Sequence, residues 1–154
     1  MLLYRLTKKK YKNDLTGTGA SIMGGRWNSA GIKVLYTSSS IALAMAEVLV
    51  HLNISEFPND GYYILTLQMP DTKSIIEISS KNLMLGWNNL IDEMPETKKI
   101  GDKFIKENKA CLLKVPSAVV QGDYNFLVNP LNKCFAKIEI IQEEPFPFDQ
   151  RLFR

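Results

Sequence analysis

Three side chains between Gly24 and Leu52, in the run GGRWNSAGIKVLYTSSSIALAMAEVLVHL, are of types that packing alone explains poorly: Arg26, Tyr36 and Glu47. From Ile41 to Val50 the one polar side chain is Glu47. An ionised carboxylate in such surroundings is costly unless it is paired, hydrogen-bonded or turned toward a polar cavity. Glu47 is therefore either half of a buried ion pair with a nearby arginine or a carboxylate that works at a site. Arg26 lies in a glycine-rich approach, GGRWN, where two glycines open backbone conformations closed to other residues. A shaped loop that presents a guanidinium suits a phosphate. Tyr36 offers an aromatic face for stacking. His51 stands at i+4 from Glu47 and so shares its face, where a lone histidine is more often structural than a ligand or base.

The elements that must hold these groups follow from local pattern. Ile41 to Leu52 has no Gly or Pro and is dominated by Ala, Leu and Met, so it reads as a helix apolar on every side and hence buried. Ser38, Ser39 or Ser40 is its N-cap. Lys33 to Thr37 has the β-branched and aromatic content of a strand. A residue at the end of a strand and another a turn into the next helix commonly face one cleft, which makes Tyr36 and Glu47 neighbours.

Leu2 to Leu6 reads as a strand, with Arg5 by default an exposed edge residue. Lys8 to Met23 is a polar loop whose GTGASIMGG matches neither G-x-G-x-x-G nor G-x-x-x-x-G-K-[ST]. Asn53 to Gly61 carries turn signals, Tyr62 to Met69 reads as a central strand, and Ser74 to Ile78 as a short one. Lys81 to Asn89 is ambiguous, with Trp87 either a packing aromatic or a lip over a cleft. Glu96 to Asn108 places Ile100, Phe104 and Ile105 at helical spacing, giving an amphipathic surface helix with a solvated lysine face and a weak point at Gly101.

Ala110 to Val115 is a strand that runs into Pro116 and Ser117. No G-x-S-x-G surrounds Ser117, so it reads as a hydrogen-bonding group that orients something, not as a nucleophile. Phe126 to Asn129 ends at Pro130, Phe135 to Ile141 alternates as a last strand, and the Phe- and Pro-rich tail lies back over the core. Strands outnumber helices without strict interleaving, which favours an α+β fold in one domain, residues 1–154.

Composition sets the outer limits. At 154 residues and 45% hydrophobic content the chain can bury a core without staples. Its net charge of +3, with basic residues scattered, does not suggest nucleic-acid binding. Cys111 and Cys134 stand far apart with no CxxC and fall in apolar runs, so buried free thiols are expected; with a single His no metal set is plausible. No signal peptide or run of the roughly 20 apolar residues of a membrane span is visible. A reducing cytoplasm is the expected compartment.

The order GGRWN, then G-x-x-V-L-Y-T-S, then A-x-x-x-A-E-V-L-V-H, followed by VPSAVV and LVNP, resembles the RES domain. The resemblance covers nearly the whole chain and places Arg26, Glu47 and Ser117 at the residues that name the family, with Tyr36 at its tyrosine position. It implies a fold like that of ADP-ribosyltransferases, a split mixed or antiparallel sheet with flanking helices. It also implies a toxin that cleaves the nicotinamide–ribose bond of NAD, as a glycohydrolase or phosphorylase, with protein ADP-ribosylation as the alternative. Arg26, Tyr36, Arg5 and Asn129 are then expected to line the NAD cleft, with Glu47 and Ser117 beside the reacting bond. NAD is the substrate, no further cofactor or metal is needed, and an Xre-like antitoxin is the implied protein partner. A homodimer is left open. A non-enzymatic binding module, with Arg26 and Glu47 as a plain ion pair, is the remaining rival.

Overall fold

Strand β1 (Leu2–Lys8) pairs along its whole length with β3 (Tyr62–Gln68), but with β2 (Leu35–Ser38) at one position only, Tyr4 opposite Ser38. The computed structural model describes residues 1–52, 61–70, 74–89 and 95–153. The expected loop Asn53 to Gly61 therefore lies outside the described residues, except for Gly61. The remaining strands are β4 (Ile75–Glu77), β5 (Leu112–Pro116), β6 (Tyr124–Val128) and β7 (Glu139–Phe146), in the sheet order β4-β5-β6-β2-β1-β3-β7. Only β4 and β5 run parallel; the other pairings are antiparallel. The fold is α+β, and its mixed sheet is nearly cut in two at the β1/β2 seam.

Period-two alternation decides what each face carries. Tyr4, Leu6, Tyr36, Ser38, Asn125 and Leu127 share one face, by the pairings Tyr4–Ser38, Ser38–Asn125 and Tyr36–Leu127. Helix α2 (Ile41–Leu49) packs here through Ala44 in a cluster with Leu6, Tyr62, Ile64 and Phe148. Helix α3 (Pro95–Glu107) packs on the same face through Phe104 and Ile105, against Trp27, Leu113 and Leu127. The opposite face holds Leu3, Leu35, Leu65 and Val128, roofed by Leu15, Phe135 and Ile138.

Several elements differ from their sequence reading. Helix α2 is capped by Ser40, whose Oγ accepts from Leu43 N at 3.1 Å, but it is not buried all round. Only Leu43 and Ala44 are buried, while Ile41 and Val50 are 42% and 46% exposed. One side of the helix lies on the sheet and nothing among the described residues covers the other. The segment from Lys8 to Met23, read as a loop, contains a 3-10 turn at Lys9–Tyr11 and a short helix α1 (Thr18–Met23).

The last strand begins at Glu139, not Phe135. Asn132 caps a 3-10 helix, Lys133–Lys137, by accepting from Cys134 N at 3.1 Å, and this takes up the first half of the alternating run. Cys111 and Cys134 are not free thiols. They form a disulfide with Cα atoms 6.0 Å apart, because the β5–β6 hairpin returns the chain past its own start, where Asn129 N donates to Cys111 O at 3.0 Å. Sequence spacing carries no trace of that return.

Candidate active site

Glu47 sits on the sheet-facing side of α2 and is half-buried, not sealed in hydrocarbon. Ser117 Oγ donates to its Oε1 at 2.8 Å, and Asn125 Nδ2 donates to the same oxygen. The carboxylate Oε2 has no hydrogen-bond partner among the described residues. Ser117 is itself held, accepting from Val119 N at 3.1 Å and Val120 N at 2.9 Å, so its one proton is committed to Glu47. Asn125 is aligned by Ser38, whose Oγ donates to Asn125 Oδ1 at 2.7 Å. Sequence reasoning missed Asn125 and Ser38; their link depends on the β2–β6 register, which no local motif announces.

Arg26 does not pair with Glu47: among the described residues no salt bridge joins the two. Its Nη1 donates to Trp87 O at 2.6 Å and its Nη2 to Asn89 O at 3.1 Å. Burial lowers the guanidinium pKa, and the charge of Glu47, followed by Tyr36, acts the other way. A guanidinium has five N–H donors, and two carbonyls leave three for a ligand. Trp87, left between packing and lip, packs: its ring tilts on Trp27 with centroids 6.0 Å apart, and its carbonyl orients Arg26.

The Tyr36 phenol is more constrained than a stacking platform needs. It donates to Asn28 Oδ1 at 2.8 Å and accepts from Trp27 N at 3.1 Å. Asn28 is fully buried, and its Nδ2 donates to Ala20 O and Ile32 O, both at 2.9 Å. Gly25 lets the phenol in; a Cβ there would stand 2.7 Å from Tyr36 Oη. Burial, the largest cause, raises the Tyr36 pKa well above 10.0, so the hydroxyl stays protonated.

Arg5 lies at the β1/β2 seam. Strand alternation sends its side chain to the face of Leu3 and Leu65, yet Nη1 reaches the Tyr36 carbonyl at 3.4 Å. It is not an exposed edge residue: burial lowers its pKa, opposed by Asp14, and its Nε is buried without an acceptor among the described residues. Asn129 lies elsewhere. It is fully buried at the far end of β6, donates to Ile105 O and Asn108 Oδ1, and accepts from Leu131 N at 2.9 Å. Its side chain is used in bracing that corner, just past the end of β6 and four residues beyond Asn125. His51 is exposed past the end of α2.

No group of three or more His, Cys, Asp or Glu among the described residues is arranged to hold a metal ion. A hollow of about 740 Å³ beside Lys9, Tyr63 and Phe146, and one of about 550 Å³ beside Cys111, Cys134 and three lysines, contain none of the groups above. Tyr36 and Glu47 lie instead on the helical face of the sheet.

A one-domain α+β fold with a mixed sheet of this kind has a solved counterpart in a toxin–antitoxin complex. It matches a chain of the M. tuberculosis MbcT–MbcA toxin–antitoxin complex with a TM-score of 0.77, covering 94% of this chain and 83% of that one at 18% identity. The RES domain profile matches residues 2–149, and the chain belongs to the RES domain family of toxins. It is 38% identical over 156 residues to a protein of Pseudomonas putida named Toxin Res, covering 99% of this chain and all of that one. Over 147 residues it is 33% identical to a Sphingobium protein named Prs ADP-ribosylating toxin, covering 92% and 88% of the two chains. No helix among the described residues is long and apolar enough to cross a membrane.

Proposed function

We propose that this protein is a toxin that consumes NAD by cleaving the bond between nicotinamide and ribose, and that an Xre-like antitoxin neutralises it. The observation that carries the reading is the state of Glu47. Two neutral donors converge on one carboxylate oxygen and leave the other without a partner among the described residues, while the Arg26 guanidinium is oriented by carbonyls and not by the acid. A carboxylate kept for structure would be expected to spend both oxygens or close an ion pair.

In the reaction the C1′–N1 bond breaks and its electron pair neutralises the pyridinium ring, so nicotinamide leaves without needing a strong acid. Positive charge grows on the ribose, where the free oxygen of Glu47 stabilises it and holds a ribose hydroxyl. Water or phosphate then adds at C1′. Arg26, through its three remaining N–H groups, grips the pyrophosphate, and Arg5 adds positive charge from the seam behind Tyr36. Tyr36 presents its ring to the nicotinamide end, and Ser117 keeps the carboxylate aimed. Asn129, placed at the same cleft by resemblance, supports the wall behind α3 instead of touching the ligand.

The test is to mix catalytic amounts of pure protein with NAD, with and without phosphate, and to follow NAD loss and product mass. An untouched NAD pool under both conditions sinks the proposal. Glu47→Gln should lower turnover by about 10²-fold or more, while Gln keeps the acceptor for Ser117 and Asn125 and so preserves the fold. The relative named an ADP-ribosylating toxin favours a second reading, in which a protein side chain is the acceptor. Labelled NAD separates the two: label stays on protein for a transferase and on a small molecule for a hydrolase or phosphorylase.

A further inference from the structure

We infer that Asp102, on α3, is a positioning residue that sets the Arg26 loop for ligand binding; this rests on Arg26 acting at the NAD site as proposed above. The inner half of the loop is fixed locally, by Gly25 N donating to Asn28 O at 2.9 Å and by the Asn28 and Tyr36 side chains. Its outer half turns back through Ile32 N donating to Ser29 O at 3.1 Å, and its outward-facing donors and carbonyls are held by one face of α3. Thr97 Oγ1 donates to the carbonyl of Arg26 itself at 2.6 Å. One turn on, Gly101 lets the helix touch the loop, since a Cβ there would lie 1.7 Å from Trp27 O. The next residue, Asp102, takes both donors of Ser29, the backbone N at 2.9 Å and Oγ at 2.6 Å.

Consecutive loop residues Arg26, Trp27 and Ser29 are thus registered against positions 97, 101 and 102 of one helix. Both Asp102 contacts are charge-assisted, the stronger kind of hydrogen bond. The Arg26 guanidinium leaves this braced segment to donate to Trp87 O at 2.6 Å and Asn89 O at 3.1 Å, within reach of the charge of Glu47. A shift of the segment moves the guanidinium relative to Glu47, and misplacement by about 1 Å is enough to cost a site much of its function. Asp102 touches neither ligand nor reacting atoms; it acts through Ser29.

The experiment compares Asp102→Ala and Asp102→Asn with the wild-type chain. Asn can remake both contacts, accepting from Ser29 N through Oδ1 and donating to Ser29 Oγ through Nδ2. The readouts are kcat and KM for NAD, and acrylamide quenching of Trp27 and Trp87, the chain's two tryptophans, which sit against each other beside Arg26. Asp102→Ala should raise KM on the order of tenfold with kcat nearly kept, and should raise quenching; Asp102→Asn should stay near wild type in both. Unchanged KM and quenching in Asp102→Ala, even with a lowered melting temperature, overturns the inference, as does an Asn variant as impaired as the Ala one. Should the wild-type chain leave NAD intact, the functional reading falls on its own and the quenching comparison decides the role of Asp102 by the same criterion.

Discussion

Tyr36 illustrates how a residue that looks functional can owe its environment to structure. Its hydroxyl joins Asn28 and Trp27, and its pKa is held above that of an unfolded tyrosine mainly by burial. An acid raised on folding contributes stability that is complete below the unfolded value, 10.0 here, and is lost as pH climbs above it. Wild type should therefore lose stability more steeply than Tyr36→Phe above about pH 10. At neutral pH the same variant, missing two hydrogen bonds and stranding the Asn28 oxygen and the Trp27 N–H, should be weaker by about 1 to 3 kcal/mol; urea midpoints measured across pH 8 to 11 check both. Arg5 presents the opposite balance. Its buried Nε without an acceptor is a cost of folding, so Arg5→Leu should be as stable as wild type or more so, yet bind NAD poorly. A variant that is destabilised and binds normally would return Arg5 to a structural role.

Helix α3 was legible as an amphipathic helix, and Phe104 and Ile105 do face the core. Its polar side was not legible, because Thr97, Gly101 and Asp102 among lysines resemble solvated positions until the Arg26 loop is laid on them. Gly101→Ala tests this sharply. Helix propensity alone predicts a gain of about 1 kcal/mol, whereas a Cβ driven into the Trp27 carbonyl predicts a loss of about 3 kcal/mol; thermal denaturation decides the sign. The disulfide between β5 and the following 3-10 helix makes a second test at this scale. It closes a loop with a sequence separation of 23, so reducing it should cost about 3 kcal/mol by chain entropy. Because Cys111 packs on the sheet face opposite Glu47, NAD turnover of the reduced, still folded protein should be unchanged.

Across the whole molecule, the one-residue junction of β1 with β2 divides the sheet into halves, and the groups under discussion gather at that division: Arg5 in the seam, Tyr36 and Ser38 on β2, Glu47 on the helix that spans both strands. A ligand bridging such a seam ties the halves together. NAD at about 100 times its dissociation constant should raise the stability of Glu47→Gln by about 3 kcal/mol. The expected readout is a thermal shift that saturates with NAD and is absent in the Arg5→Leu, Glu47→Gln double variant. Free β7 edges are a pairing hazard in principle, but here Glu139, Glu143, Glu144 and Pro145 guard the edge against a second copy.

By itself the order of residues determined the family, the α+β class, the position of most strands, and the choice of Arg26, Tyr36, Glu47 and Ser117 as the groups that need explaining. These are local matters, set by residue type, by periods of 2 and 3.6, and by spacing along one stretch. Only the folded chain decided that Asn125 and Ser38 belong with Glu47, that Arg26 leans on the carbonyls of Trp87 and Asn89, that Asn129 braces a distant corner, and that the two cysteines meet. Each of these depends on strand register or on chain return over tens of residues. A shift of register by one residue would turn Asn125 to the other face of the sheet without altering the local pattern at Glu47.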